Sequence, residues 1–527
     1  MPSLLMRLST ALAALLVFGP AVSAPQPSAP VVAVDTGRLA GEANGDIEIF
    51  RGIPYALPPV GALRWHPPVR AAHWSGVRDA TAFGPSCPQG ASGDKSNILT
   101  YGGAPEPTRE DCLTLNVWAP AHVAKRAPVM VWFHGGAGRI GAGSLPYYDG
   151  ASFARDGVVL VTLNYRLGHL GSFAYPGLAE EAARKGLHVG AYAMLDQIAA
   201  LEWVKRNIAA FGGDPDNVTI FGESSGGISV FSMLVTPATW GLFHKAIVES
   251  GGGWFGPPSS RADAEKRGLA IAAAAGAPPS ASLDQLRAMP AAAFAHVPGD
   301  TALQPDPDLV PSGITLAIAA GRVAPVPLMI GINDGEDSLI DRAVAKATGQ
   351  IDDDTLSKLR ELYGMPLDRE MAARLQFRDA LATAPARWVV ARWPAPAYLY
   401  RFEHVTESYR PARPRAHHGA EIFYVFKTLG HEPDVTSHPT PADERLADEM
   451  HARWVAFARS GAPNPQGQAN WPAYSAGDDR WMVFGQQHSS VQAHVMAKQL
   501  DYYDGKFVPL IWLLRVKDFF ARLFAWF

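Results

Sequence analysis

Cysteine is nearly absent from this 527-residue chain: Cys87 and Cys112 are the only two. Two thiols cannot complete a zinc site, and neither has a His or a second Cys at metal-ligand spacing, so no metal is expected. Charge of one sign is missing too. The 46 basic and 50 acidic residues leave a formal charge of −4, with no basic stripe interleaved with aromatics, which argues against a nucleic-acid partner. No internal repeat is visible. Near the N-terminus the apolar run Leu12–Phe18 is shorter than the roughly 20 residues a membrane span needs.

What is there belongs to a large globular chain. Hydrophobic residues make up 48% and charged residues 18%, enough for a sizeable core and too apolar for intrinsic disorder. Arg7, the run Leu12–Phe18 and the small residues Ala21, Val22, Ser23 and Ala24 read as a signal peptide over residues 1–24, with a membrane anchor as the alternative. Pro25 leaves the cleavage point open between Ala21 and Ala24. Export predicts a secreted or periplasmic protein, and in that compartment a lone cysteine pair bonds to itself. Residues 25–30, Pro-Gln-Pro-Ser-Ala-Pro, form a stiff linker.

Apolar runs at Val129–Phe133, Val158–Leu163, Val218–Phe221, Ala246–Val248 and Val326–Ile332 predict buried strands. Between them lie helical patterns. In Ala191–Phe211, the residues Leu195, Ile198, Leu201, Val204 and Ile208 recur every three or four positions before Gly212-Gly213 stops them. Alternating strands and helices predict an α/β fold, a mostly parallel sheet covered on both faces, with ligands collected at the carboxyl ends of its strands.

Gly222-Glu223-Ser224-Ser225-Gly226 follows one of those strands and precedes a segment, Ser225–Leu234, that can continue as a helix. That is the setting in which a G-x-S-x-G turn lifts its central serine above the sheet as a nucleophile. Ser224 takes that role. Ser225 then donates its backbone N–H to an oxyanion, and its hydroxyl is incidental. A second glycine turn, His134-Gly135-Gly136-Ala137-Gly138, follows Val129–Phe133, and Gly136 and Ala137 N–H groups are assigned to the same oxyanion hole. No Gly-Lys-Ser/Thr follows that turn, so a phosphate loop is disfavoured.

Longer stretches carry a resemblance: "FRGIPYALPPVGALRW" (50–65), "EDCLTLNVWAP" (110–120), "LNYRLG" (163–168), "FGGDPDNVTIFGESSGG" (211–227) and "LFHKAIVESG" (242–251). In content and order, from about residue 31 to about residue 505, the chain resembles the type-B carboxylesterases of the carboxylesterase and cholinesterase family, including para-nitrobenzyl-esterase-like members. The resemblance implies an α/β-hydrolase fold, large insertions over the active site, a Ser-Glu-His triad, no cofactor, and hydrolysis of small-molecule carboxylic esters. It also implies a Cys87–Cys112 disulfide around a loop near the active-site mouth. Residues 25–507 would be the catalytic domain.

For the triad acid, Asn333-Asp334-Gly335-Glu336-Asp337-Ser338 resembles the family's Asp-Glu-Gly-Ser run and puts the acid at Glu336. Asp337 stands where glycine is common, and Asp334 and Asp337 stay open as alternatives. "HHGAEIFYVF" resembles the family's His-Gly-x-Glu-Ile segment and makes His418 the base, with His417 an ordinary neighbour. Glu223 and Glu421 resemble the family's buried glutamates, either structural hydrogen-bonding groups or tuners of His418.

The segment between Cys87 and Cys112 holds Tyr101 but no Trp, whereas choline-ester hydrolases of this family place a Trp there for a quaternary ammonium. Choline esters are disfavoured. Amide or carbamate hydrolysis is the enzymatic rival and a non-catalytic adhesion module the rival from another class. Beyond the family match, the tail 508–527 has Arg515, Asp518 and Arg522 at helical spacing among bulky apolar residues. An amphipathic segment of this kind packs on the body, docks peripherally on a membrane, or joins two copies.

Overall fold

The structure, a computed structural model, describes residues 29–90, 108–122, 124–253, 259–298, 309, 313–341, 343–407, 409–410, 413–431 and 439–524, with side chains as far as 514. The signal-peptide segment 1–24 and Tyr101 lie outside the described residues.

Fourteen strands run in chain order among those residues. β1 (Val31–Val34), β2 (Gly37–Ala40) and β5 (Val77–Asp79) form a small sheet. The large sheet is built from β3 (Glu42–Asn44), β4 (Ile47–Pro54), β6 (Thr114–Pro120), β7 (Ala127–Phe133), β8 (Val159–Leu163) and β9 (Gly213–Glu223). It continues with β10 (Lys245–Glu249), β11 (Leu328–Asn333), β12 (Ala397–Phe402), β13 (Arg480–Phe484) and β14 (Ser489–Ala493). Its order is β14-β13-β12-β11-β10-β9-β7-β8-β6-β4-β3. Every neighbouring pair from β8 to β13 is parallel, and the flanking strands on both edges are antiparallel.

Both faces of the sheet are dry. Along β7, Val129, Val131 and Phe133 enter one core with Leu201 and Val204, while Met130 and Trp132 enter the other with Trp454 and Phe457. Successive strand side chains point to opposite faces, so a strand covered on both sides must be apolar at every position. Helix α1 (Tyr192–Asn207) and α2 (Ser225–Val235) contribute to the first core, and α3 (Pro441–Ser460) to the second. Truncating a fully buried side chain such as Trp132 would cost about 3–5 kcal/mol.

The expected strands fall inside the observed ones, with differences at the ends that have physical causes. β9 begins at Gly213, five residues before the apolar run, because Ala127 and Gly213 already pair at the amino ends of β7 and β9, where Asp216 reaches solvent. β11 begins at Leu328 rather than Val326: Pro327 intervenes and has no N–H for the ladder. The helix expected over Ala191–Phe211 is α1 followed by a 3₁₀ turn at Ile208–Phe211, closed by left-handed Gly212.

Helix α4 (Ala497–Phe524) begins ahead of residue 508, so the tail leaves the body as the continuation of an existing helix with Pro509 inside it. Ile511 is buried, whereas Val508, Leu510, Trp512 and Leu513 are exposed. Among the described residues no helix is long and apolar enough to cross a membrane. The side chains of Arg515, Asp518 and Arg522 lie outside the described set.

Candidate active site

Four parallel strands deliver the site from their carboxyl ends. β9 ends at Glu223 and turns through Ser224 into α2. Ser224 has φ 55° and ψ −123°, a strained backbone for a residue with a side chain, and its N–H donates to the Glu249 carbonyl at 2.9 Å. The turn is tight because of its glycines. A Cβ on Gly226 would lie 1.9 Å from the Phe133 carbonyl oxygen, so α2 can start against the end of β7 only without one. Ser224 itself is half-buried, while Ser225 beside it is buried.

The loop after β7 lies alongside. Gly136, Ala137 and Gly138 all have positive φ, at 103°, 56° and 66°. N–H groups of Arg139 and Ile140 close onto the Gly136 carbonyl at 3.0 and 3.1 Å. The Tyr165 hydroxyl donates to the His134 carbonyl at 2.5 Å. Within this otherwise buried turn Ala137 is the exposed residue. The Ser225 hydroxyl, for which the sequence pattern predicts no role, accepts the Gly138 N–H at 3.2 Å and joins the two segments.

β11 ends at Asn333, and the 3₁₀ turn Glu336–Ile340 follows. β12 ends at Phe402, and the chain returns through a long loop to His417 and His418, where Gly335 and His417 form an isolated parallel bridge. The structure brings Glu336 and His418 together: His418 Nδ1 and Glu336 Oε2 are 2.5 Å apart, with both side chains buried. Glu336 Oε1 accepts the Ser250 hydroxyl at 2.5 Å and the Asn333 N–H at 2.9 Å, which fixes the carboxylate plane. The other ring nitrogen, His418 Nε2, lies 3.1 Å from Glu223 Oε1, so that edge of the imidazole faces the serine turn.

The two alternative acids are occupied elsewhere. Asp334 Oδ1 accepts the Ala416 N–H at 2.7 Å, and burial pushes that carboxyl up to about 6. Asp337 Oδ2 pairs with Arg415 at 2.7 Å, the partner that makes an aspartate tolerable in this buried position. His417 is buried, and burial together with the charge of Arg413 drops its pKa to about 3, the neutral ring of an ordinary neighbour.

Electrostatically the site is a cluster of buried carboxyls around one imidazole. Burial favours the neutral His418 ring, but the carboxylates of Glu223 and Glu336 outweigh it and push the pKa up to about 10. Burial pushes Glu223 well above the usual carboxylate range; His418 opposes this and the nearby Glu421, Glu336 and Glu249 add to it. Burial and then Glu336 raise Glu421 to about 7. Its side chain accepts from Asn333 Nδ2.

Glu249, Ser250, Asn333 and Ser338 were not singled out by sequence reasoning. Glu249 accepts Trp454 Nε1–H at 2.8 Å and is raised by burial, and the Ser338 hydroxyl accepts the His418 N–H at 3.0 Å. The available signal was position: Glu249 and Asn333 are polar residues at the carboxyl ends of strands that are otherwise apolar. Cys87 and Cys112 are disulfide-bonded. Gln89, two residues on, exchanges hydrogen bonds with both backbone groups of Gly141 at 3.1 Å.

Known proteins share this arrangement of chain. The profile described as Carboxylesterase family matches residues 28–375 and 368–503. Para-nitrobenzyl esterase of Bacillus subtilis (strain 168) is 36% identical over 482 residues, 84% of this chain and 92% of that protein. Fumonisin B1 esterase of Sphingopyxis macrogoltabida is 35% identical over 485 residues, 86% of each. Among solved structures, a PNB esterase superposes with a TM-score of 0.77 at 32% identity, covering 90% of this chain and 99% of the other. A Geobacillus stearothermophilus carboxylesterase gives 0.75 at 32% identity, with the same coverage.

Proposed function

The chain belongs to the carboxylesterase family and is a carboxylic ester hydrolase, and from that premise we propose that it works through an acyl-enzyme on Ser224, with His418 as base and Glu336 as its orienting acid. The observation that carries this reading is the buried 2.5 Å contact between His418 Nδ1 and Glu336, with Nε2 facing the turn that bears Ser224.

In this mechanism the neutral imidazole takes the Ser224 proton at Nε2 as Oγ attacks the ester carbonyl. Glu336 holds the Nδ1–H tautomer and stabilises the imidazolium. Negative charge that develops on the carbonyl oxygen meets the N–H groups of Gly136, Ala137 and Ser225, fixed before the reaction begins. The imidazolium then returns its proton to the departing alcohol, and water repeats the cycle on the acyl-enzyme. Glu223 and Glu421 act through His418, by the charge with which they favour its protonated form. Uncharged esters, para-nitrobenzyl esters among them, suit the site better than choline esters.

Ser224→Ala should lower turnover by about a million-fold, since residues that act as a unit fail as a unit. A fluorophosphonate should label the native chain stoichiometrically at Ser224, located by peptide mass. Labelling elsewhere, or substantial turnover by the alanine variant, would remove Ser224 from the mechanism. A panel of nitrophenyl esters of rising chain length then reads the acyl preference.

A further inference from the structure

We propose that the Ser225 hydroxyl is a positioning group for the oxyanion hole, holding through Gly138 the loop that carries the Gly136 and Ala137 donors. The inference rests on the reading of Ser224 and those N–H groups given above.

Gly136, Ala137 and Gly138 are consecutive residues at positive φ. Such a run is sparsely populated and persists only where its surroundings determine it. On one side the turn is closed by Arg139 and Ile140 N–H groups on the Gly136 carbonyl. At Gly138 it is pinned twice. The Gly138 carbonyl accepts the Gly168 N–H at 2.7 Å, and the Gly138 N–H donates to Ser225 Oγ at 3.2 Å.

The peptide that ends in the Gly138 N–H shares the Ala137 α-carbon with the peptide that carries the Ala137 donor, so release of one loosens the other. Ser225 is itself held from behind: its carbonyl accepts the Ser229 hydroxyl at 3.1 Å, and Gln197 of α1 donates to that hydroxyl at 2.9 Å. One residue thus supplies a donor through its N–H and locates the other two through its Oγ. An alanine at 225 would leave the buried Gly138 N–H without that acceptor, a cost relieved by rotation of the loop.

The test uses the full-length enzyme and a trifluoromethyl ketone, whose carbonyl adds the Ser224 oxygen while the serine proton passes to His418, leaving an alkoxide in the hole. Ser225→Ala should lower kcat roughly tenfold, less than loss of a direct donor, and weaken the ketone in parallel. KM should move by less than about twofold, as expected when only transition-state binding is lost. Ser225→Cys, which keeps a weak acceptor, should recover part of both and remains readable if the alanine variant folds poorly. Native kcat and ketone affinity in Ser225→Ala, or a lower melting temperature with kcat unchanged, would overturn the proposal. Ser224→Ala, run beside it, separates the two readings: turnover there removes the nucleophile, whereas a dead Ser224→Ala with a native Ser225→Ala removes only the role of the hydroxyl.

Discussion

A general base must be neutral to accept a proton, and His418 sits where neighbouring carboxylates favour its protonated form. The acid limb of kcat/KM reports this group in the free enzyme. Because its pKa is raised, activity should climb with pH through an apparent value above the roughly 6.5 of an ordinary histidine. Glu336→Gln removes the nearest charge and the acceptor for Nδ1–H, so it should move the limb downward and lower kcat by about 10⁴, the scale of a wrong tautomer. A pH–rate profile of both proteins checks both effects. An acid limb below 6 in the native enzyme would contradict the carboxylate-rich environment, and an unmoved limb in the variant would take Glu336 away from the imidazole.

Two irregular segments, after β11 and after β12, place those side chains, and each is fixed by the other. Gly335 N–H donates to the Ala416 carbonyl at 2.8 Å, Ala416 N–H returns to Asp334 at 2.7 Å, and Asn333 Nδ2 donates to the His417 carbonyl at 2.8 Å. Arg415 reaches Asp337 at 2.7 Å across the same seam, with Arg374 at 3.6 Å. Asp337→Asn keeps the shape but removes the negative charge from two guanidinium groups. It should cost about 2 kcal/mol, less than a fully buried pair because Arg415 is partly exposed, and should lower kcat as the histidine segment loosens. Urea denaturation and steady-state kinetics read the two effects. Unchanged stability would make the ion pair a bystander to the seam.

This seam also marks where sequence reasoning stops. The serine turn was legible because its glycines answer a local demand: the space at Gly226 is set by a backbone that must pass the end of β7. His418 was legible through its neighbours Gly419 and Glu421. Ser250, Ser338 and Asn333 were not, because a polar side chain at or just beyond a strand end has no period to betray it, and its partner lies eighty or more residues away. The Ser225 hydroxyl escaped for the opposite reason, since the motif already accounted for that residue through its N–H.

At the scale of the molecule, the disulfide ties a segment outside the large sheet to the start of β6, and Gln89 on that segment reaches the chain just beyond the oxyanion loop. Cys87 and Cys112 are 25 residues apart in sequence, and closing a loop of that length stabilises the fold by about 3.5 kcal/mol on a chain-entropy account. The bridge also anchors Gln89, whose amide donates to the Cys87 carbonyl at 3.0 Å as well as to Gly141, at the far end of the glycine turn. Stability and catalysis should separate at this point. Gln89→Ala leaves the bridge intact, so it should lose little in urea while kcat falls several-fold, in the direction expected when a preorganised donor loop gains freedom. Cys87→Ala with Cys112→Ala should lose both, the denaturation free energy by about 3.5 kcal/mol and kcat by at least as much as Gln89→Ala. If the double cysteine variant kept native kcat while losing stability, the bridge would serve the fold alone, and Gln89 would hold the loop without its help.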